Sequence, residues 1–401
     1  MSSLTSDISK DERAPEMAFM QDGLERLASL RTELDELKDT LLDIDAASGA
    51  EDDKLVGKIT HLLKEFEPSI TMIGQIKSGK TSLVNAMAGR PGLLPADVNP
   101  WTSVVTSLHL NLPRDDDAAV ASFRFFNAGE WEHLVTNGGR MGELSMRAGA
   151  DEELQKVHKQ VAEMREKTRA RLGRKFELLL GQRHDYRYLD DELMQRYVCL
   201  GDDFEDLSPT DQQGRFADIT KSADLYLSAP SIPLPLCIRD TPGVNDTFMM
   251  REQITIKALR ESRLCVVVLS ASQALSSVDM GLIRLISNVK SEGIVIFVNR
   301  IDELSDPASQ LPDIRDSIEA TLAKMNGPTK PRIVFGSAYW ANAAITGELD
   351  ALVEDSAAAL QNLARSQKGS RKIDLTDPAE VWKLSGLPEL FSVLSERIVQ
   401  G

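Results

Sequence analysis

Cysteine is scarce in this chain. Three residues in 401, Cys199, Cys237 and Cys265, are too few and too scattered for a disulfide framework or a metal-ligand pattern, and they read as reduced thiols. The five histidines (His61, His109, His133, His158 and His184) are equally dispersed and show no metal constellation. Long apolar runs are missing too. The longest, at 264–269 and 293–298, have strand length, against the roughly 18–20 residues that span a bilayer. The first sixteen residues are polar and hold no apolar signal core. Basic charge is in short supply. With Lys+Arg 46 against Asp+Glu 62, the formal net charge of −16 repels nucleic acid. These absences point to a cytoplasmic protein with no nucleic-acid partner. Its 42% hydrophobic content suffices for one large core or two modest ones.

Residues 1–16 are expected to be frayed. Beyond them Leu27, Leu30, Leu34, Leu37, Leu41 and Ile44 step by 3 and 4, an a/d seam on a helix. That seam fits a coiled coil or a helix packed on other helices of the same chain. A second helix is expected over 51–66. Residues 17–67 are therefore read as the first half of a helical bundle.

At 69–73 the period changes to a short apolar strand. Further strands are expected at 104–112, 119–126, 223–227, 234–239, 264–269, 294–298 and 332–335, with helices between several of them. The runs at 264–269 and 294–298 are rich in Val and Ile, as in strands buried on both faces of a parallel sheet. This alternation predicts a doubly wound, mostly parallel α/β domain over 68–345. A charged helical insertion is expected at about 130–220. Within it Lys156 to Arg187 carries ten Lys/Arg against four acids. Such a stretch suits a solvated helical face, or a surface for acidic lipid headgroups or an acidic partner. The C-terminal segment 346–401 is read as helices on the bundle, with Leu387, Leu390, Phe391, Leu394 and Ile398 forming one apolar face over 378–399.

The chemistry is concentrated in four motifs, each at the end of an expected strand. Gly74-Gln75-Ile76-Lys77-Ser78-Gly79-Lys80-Thr81 fits the phosphate-binding loop, with a strand before it and a helix after it. Its backbone N–H groups, with Ser82 just inside the helix, can wrap a phosphate at a helix N-terminus. Lys80 can reach the β- and γ-phosphates and Thr81 can ligate Mg²⁺. Alone, the loop equally fits ATPases and small-molecule kinases. Asp240-Thr241-Pro242-Gly243 follows a strand, placing Asp240 to hold Mg²⁺ through water and Gly243 N–H to sense a γ-phosphate. In Asn299-Arg300-Ile301-Asp302, the Asp302 carboxylate can accept from guanine N1–H and N2–H₂, a donor pair adenine lacks. Asn299 can brace the loops around the base, and Arg300 can lay its stem or guanidinium over the purine. Ser337-Ala338 can present a backbone N–H to guanine O6.

Four such motifs in this order resemble the Ras-like GTPase superfamily, and within it the dynamin superfamily in its bacterial dynamin-like branch. The resemblance rests on GQIKSGKT followed by SLVNAMAG, on Leu94-Pro95-Ala96-Asp97-Val98-Asn99-Pro100-Trp101-Thr102-Ser103-Val104-Val105-Thr106 as a first switch, and on flanking helices ending in Ser385-Gly386-Leu387-Pro388-Glu389-Leu390. It covers 68–130 and 223–340 well, the terminal helices only in pattern, and the 130–220 insert poorly. It implies that Thr102 ligates Mg²⁺ and orients the attacking water, with Thr106 as the alternative, and that Trp101 is either an exposed aromatic or a contact across a G-domain dimer. Two departures stand out. The usual lysine of the guanine motif is Arg300. Dynamins proper carry Gln and Ser where this chain has Ile76 and Lys77. The Lys77 ammonium can therefore act near the β–γ bridging oxygen as an internal counterpart of an arginine finger, or point to solvent or across a dimer.

The resemblance implies a Mg²⁺-dependent enzyme that hydrolyses GTP to GDP and phosphate. Its stimulation by G-domain dimerisation, a partner dynamin-like chain, coupling to the flanking helices, and a peripheral place on an acidic membrane at its inner face are implied as well. The alternative is a slow nucleotide-state switch that binds an effector through the insert and has no membrane activity.

Overall fold

The computed structural model describes residues 18–47, 53–96, 104–137, 166, 168–198, 214–243, 258–273, 275–289, 294–325, 327–328, 331–368 and 374–400. Its centre is one sheet built from β1 (Ser69–Gly74), β2 (Val105–Leu110), β3 (Ala121–Phe125), β4 (Arg183–Tyr186), β5 (Thr220–Leu227), β6 (Leu236–Asp240), β7 (Leu264–Ser270), β8 (Ile294–Asn299) and β9 (Arg332–Phe335). The strand order is β4-β3-β5-β2-β6-β1-β7-β8-β9. From β6 to β9 all neighbours are parallel. Every residue of β1 and β8 is buried, which is why their sequences are apolar without alternation. β2 runs antiparallel to β6 and parallel to β5, and β3 is antiparallel to β5.

The expected helical insertion at 130–220 is not helical throughout. Arg183–Tyr186 forms β4, an edge strand paired antiparallel to β3. Its side chains alternate between exposed and half-buried, so a charged four-residue run satisfies an edge strand without an apolar signal. Nor do the basic residues described in the insert stand as one free patch. Arg183 pairs with Asp185, Arg187 with Asp117, and Arg171 with the buried Asp218.

The helices of more than four residues among the described residues are α1 (Glu25–Ala47), α2 (Asp53–Lys64), α3 (Lys80–Met87), α4 (Ala128–Asn137), α5 (Asp191–Tyr197), α6 (Ser277–Val289), α7 (Pro307–Lys324), α8 (Ala338–Thr346), α9 (Glu354–Lys368), α10 (Pro378–Leu384) and α11 (Leu387–Gln400). The a/d seam of α1 is covered within the chain by α2 and α11. Leu27 and Leu41 are buried, whereas Leu37 and Ile44 stay exposed. The helix expected over 378–399 is two helices. Gly386, at φ +78°, separates them, and a Cβ there would lie 2.1 Å from the Phe335 carbonyl oxygen. The terminal helices divide their contacts: α9 packs on α7, α10 on α8, and α11 on α1 and on β7, β8 and β9.

Candidate functional site

The phosphate-loop motif joins β1 to α3. Lys80 is buried and folds back over the loop, its Nζ donating to the carbonyls of Gly74 (3.1 Å) and Gln75 (2.8 Å). Ser78 is buried and its hydroxyl donates to the Gln75 carbonyl at 2.9 Å. The Gln75 amide is turned to Ser276, donating to its hydroxyl at 2.7 Å. Ile76 and Lys77 are exposed at the loop's crest. Lys77 has φ +64°, a left-handed conformation that is costly for a side chain with a Cβ.

Asp240, at the end of β6, is fully buried. Its Oδ2 accepts from the Thr81 hydroxyl at 2.7 Å. Its Oδ1 has no hydrogen-bond partner among the described residues. Burial pushes this carboxyl above the usual range, opposed by the Lys80 charge and the Thr81 hydroxyl. A buried carboxylate oxygen without a donor calls for a cation or water to complete it. Two hard oxygens, from Asp240 and Thr81, fit Mg²⁺.

Gly243 lies tight against the phosphate loop. A Cβ at this position would fall 2.6 Å from Ile76 Cγ1 and 2.8 Å from the Ile76 amide nitrogen, so only glycine allows the approach. Thr102 and Trp101 lie outside the described residues. The alternative threonine, Thr106, is fully buried in β2 directly opposite Asp240 in the strand register.

The base end is assembled by Asn299. Its Nδ2 donates to the Ser78 carbonyl at 2.9 Å and its Oδ1 accepts from the Ala338 amide at 2.9 Å. Asn299 thus links the phosphate loop to the start of α8, and it engages the Ala338 N–H that was read as a donor to guanine O6. The Ser337 amide is also engaged, with the Ser385 carbonyl at 2.8 Å. Asp302 is half-buried and accepts from the Ser337 hydroxyl at 2.5 Å. Burial raises its carboxyl above the usual range, against the lowering pull of that hydroxyl. Arg300 sits in the left-handed region at φ +68°. Its guanidinium does not lie free above a purine site, since it donates to the Lys77 carbonyl at 2.8 Å and pairs with Glu303 at 2.6 Å. It ties the base loop to the phosphate loop.

One cleft of about 1050 Å³ joins these parts. Lys77, Gly79, Lys80, Thr81, Ser82, Gly243, Asn299, Arg300, Asp302 and Ala338 all border it. Residues that the motifs did not flag border it too. Tyr339 and Asn342 come from α8, and Asn342 Nδ2 donates to the Ser82 carbonyl at 2.9 Å. Asp191, Met194 and Gln195 come from α5, so the insert supplies one wall. The sequence signals for α5 are its cap, Asp190 accepting from Leu193 N–H, with Asp191 and Glu192 in the first turn and Arg196 in the last.

The model described as "Dynamin family" matches residues 70–302, more than half of the chain. The chain belongs to the dynamin family. Members of this family are GTPases, and the sheet and loops above are the α/β fold of such enzymes. A bacterial dynamin-like protein of Nostoc punctiforme is 35% identical over 102 residues, 22% of this chain and 14% of that protein. Dynamin-like protein 1 of Campylobacter jejuni is 21% identical over 290 residues, 71% of this chain and 35% of the relative. A solved structure of an oligomerised bacterial dynamin pair, described as sensing and tethering membranes over long range, superposes with a TM-score of 0.52. It is 18% identical, over 95% of this chain and 56% of the other, a likeness of fold. The dynamin-family chain described here thus spans about a third or less of those curated relatives. No helix among its described residues is long and apolar enough to cross a membrane.

Proposed function

We propose that this dynamin-family chain binds GTP with Mg²⁺ in the cleft and hydrolyses it to GDP and phosphate. The observation that carries the reading is the meeting of a buried Lys80, the Thr81–Asp240 pair with its unpartnered Oδ1, and the half-buried Asp302 around one cleft. The loop amides and Lys80 hold the phosphates, Lys80 exchanging its two loop carbonyls for phosphate oxygens. Thr81 and Asp240 hold the Mg²⁺, joined by Thr102 from the first switch. When bound, the ion neutralises charge on the β- and γ-phosphate oxygens. The Gly243 N–H reads the γ-phosphate. Asp302 accepts from guanine N1–H and N2–H₂, and the Ala338 amide reaches guanine O6 when Asn299 releases it. Lys77 supplies positive charge near the bridging oxygen as that bond breaks.

Hydrolysis is stimulated by dimerisation through the nucleotide face and is passed to the terminal helices through α8 and α10. The bacterial dynamin pair of this fold carries a description of membrane tethering. We extend peripheral membrane association and a partner dynamin-like chain to this protein on that basis. The test has two arms. GTP with Mg²⁺, and not ATP, raises the melting temperature, and specific activity rises with protein concentration. Flat, very slow turnover supports the alternative of a nucleotide-state switch. The α5 wall of the cleft is the observation in favour of that alternative, because it sets the insert beside the nucleotide. Co-sedimentation with acidic liposomes, with and without a GTP transition-state mimic, tests the membrane arm.

A further inference from the structure

Outside the nucleotide cleft, three side chains converge that their sequence spacing gave no reason to connect. Glu67 lies just before β1, His109 is in β2 and Cys237 is in β6. A carboxylate oxygen, a ring nitrogen and a thiol sulfur from these residues all lie within 4.8 Å of one another. His109 and Cys237 are directly opposed in the antiparallel β2–β6 register, so their side chains are neighbours on one face of the sheet. Glu67 is held beside them by the chain that follows it, since the Cys237 amide donates to the Pro68 carbonyl at 3.0 Å.

From these side chains we infer a zinc-binding site, distinct from the nucleotide cleft, with Glu67, His109 Nδ1 and Cys237 Sγ as ligands. Three observations carry it. First, the donor set of one thiolate, one imidazole and one carboxylate is the mixture that Zn²⁺ accepts and that Mg²⁺ does not favour. Zinc donors at about 2.0–2.3 Å from the ion lie roughly 3.5 Å apart, within the spread of this cluster. Glu67, now 2.9 Å from Nδ1, moves back by roughly half an ångström to admit the ion. Second, the imidazole is already oriented as a ligand. Its other nitrogen, Nε2, faces Asp224 Oδ1 at 3.4 Å, and Asp224 is held by Arg124 at 3.0 Å. A histidine ligand whose second N–H is given to a carboxylate is the usual arrangement at zinc sites, because it fixes the tautomer and the ring plane. Tyr226 stacks on the same ring, with centroids 4.7 Å apart. Third, charge balances, since the Glu67 carboxylate and a Cys237 thiolate neutralise the dication. Binding releases to solvent the thiol proton and the Nδ1 proton that His109 gives to Glu67. Cys237 is 1% exposed, while the His109 and Glu67 side chains each keep 14% exposure, which leaves the fourth position to water.

Such an ion clamps the linker after α2 to β2 and β6 in the middle of the sheet. The experiment uses the full chain after chelator treatment, titrated with Co²⁺ as a spectroscopic stand-in and then with Zn²⁺. The expected result is one equivalent of Co²⁺ with a thiolate-to-cobalt charge-transfer band and tetrahedral visible bands, all bleached by Zn²⁺. Cys237→Ser removes the charge-transfer band, and Glu67→Gln, at a partly exposed position, weakens Zn²⁺ at least tenfold while circular dichroism is unchanged. Asp240→Asn and Cys265→Ala leave the band intact, separating this site from the Mg²⁺ site and from the other buried thiol. Absence of the band from the native chain, or its persistence in Cys237→Ser, overturns the assignment.

Discussion

The Ser337 amide donates to the Ser385 carbonyl at 2.8 Å, while the Ser337 hydroxyl donates to Asp302 at 2.5 Å. One residue therefore connects the Asp302 carboxylate to the junction of α10 and α11, and α11 packs on α1. A shift of the Asp302 loop is expected to reach the terminal helices through this residue. Ser337 also caps α8, accepting from the Trp340 amide at 3.1 Å. Ser337→Ala is expected to lower stability by about 1 kcal/mol through the lost cap. It also weakens GTP by roughly tenfold, through the lost partner of Asp302. Urea unfolding and titration calorimetry measure the two effects. An unchanged GTP affinity contradicts the link.

Asp302 gives a pH dependence with a definite sign. Its carboxyl is raised above 3.8 chiefly by burial. Only the ionised form accepts hydrogen bonds from both guanine N1–H and N2–H₂, so GTP affinity is expected to fall as pH drops toward and through the raised value, beginning above the pH at which an exposed aspartate protonates. For folding the sign is opposite. A carboxyl with a raised folded pKa stabilises the folded chain at low pH and loses that contribution as pH rises through the window. The loss of GTP in acid is thus not unfolding at Asp302. Affinity measured against pH shows the step in the native chain and a much weaker baseline without that step in Asp302→Asn.

Lys77 separates strain from chemistry. Its φ of +64° costs a non-glycine residue roughly 1 kcal/mol. Lys77→Gly is expected to be neutral or stabilising by up to about 1 kcal/mol, whereas Lys77→Ala keeps the strain. Both remove the ammonium and are expected to lower turnover by about 100-fold. If the two variants hydrolyse GTP like the native chain, basally and at high protein concentration, Lys77 has no catalytic role.

Gly243→Ala places a methyl 2.6 Å from Ile76 Cγ1 and 2.8 Å from the Ile76 nitrogen. The phosphate loop must shift to admit it. Single-turnover hydrolysis is expected to drop by more than tenfold while the melting temperature changes little, because only the loop's crest is displaced. Unchanged hydrolysis contradicts the proposed closeness of Gly243 to the γ-phosphate.

Contiguous motifs were the legible part of this site. Gly74 to Thr81, Asp240 and Asp302 could be placed because each ends a strand whose apolar run is itself readable. The doubly wound core followed from the same runs. What stayed hidden depends on contacts between distant segments. Arg183–Tyr186 is a strand only because β3 supplies its partner. His109 and Cys237 looked scattered because strand order, not sequence spacing, brings them together beside Glu67. The engagement of the Ala338 amide by Asn299, and of Arg300 by the Lys77 carbonyl, are side-chain choices that no local pattern encodes.

The central claim is that GTP is hydrolysed in the cleft bordered by Lys80, Thr81 and Asp302, with Asp240 buried behind Thr81. Phosphate release from GTP and from ATP, measured with Mg²⁺ for the native chain and for Asp240→Ala, tests it most directly. The account predicts release from GTP and not from ATP, and a fall of at least about 100-fold in Asp240→Ala with the fold retained. Equal release from ATP, or GTP turnover undiminished in Asp240→Ala, would contradict it.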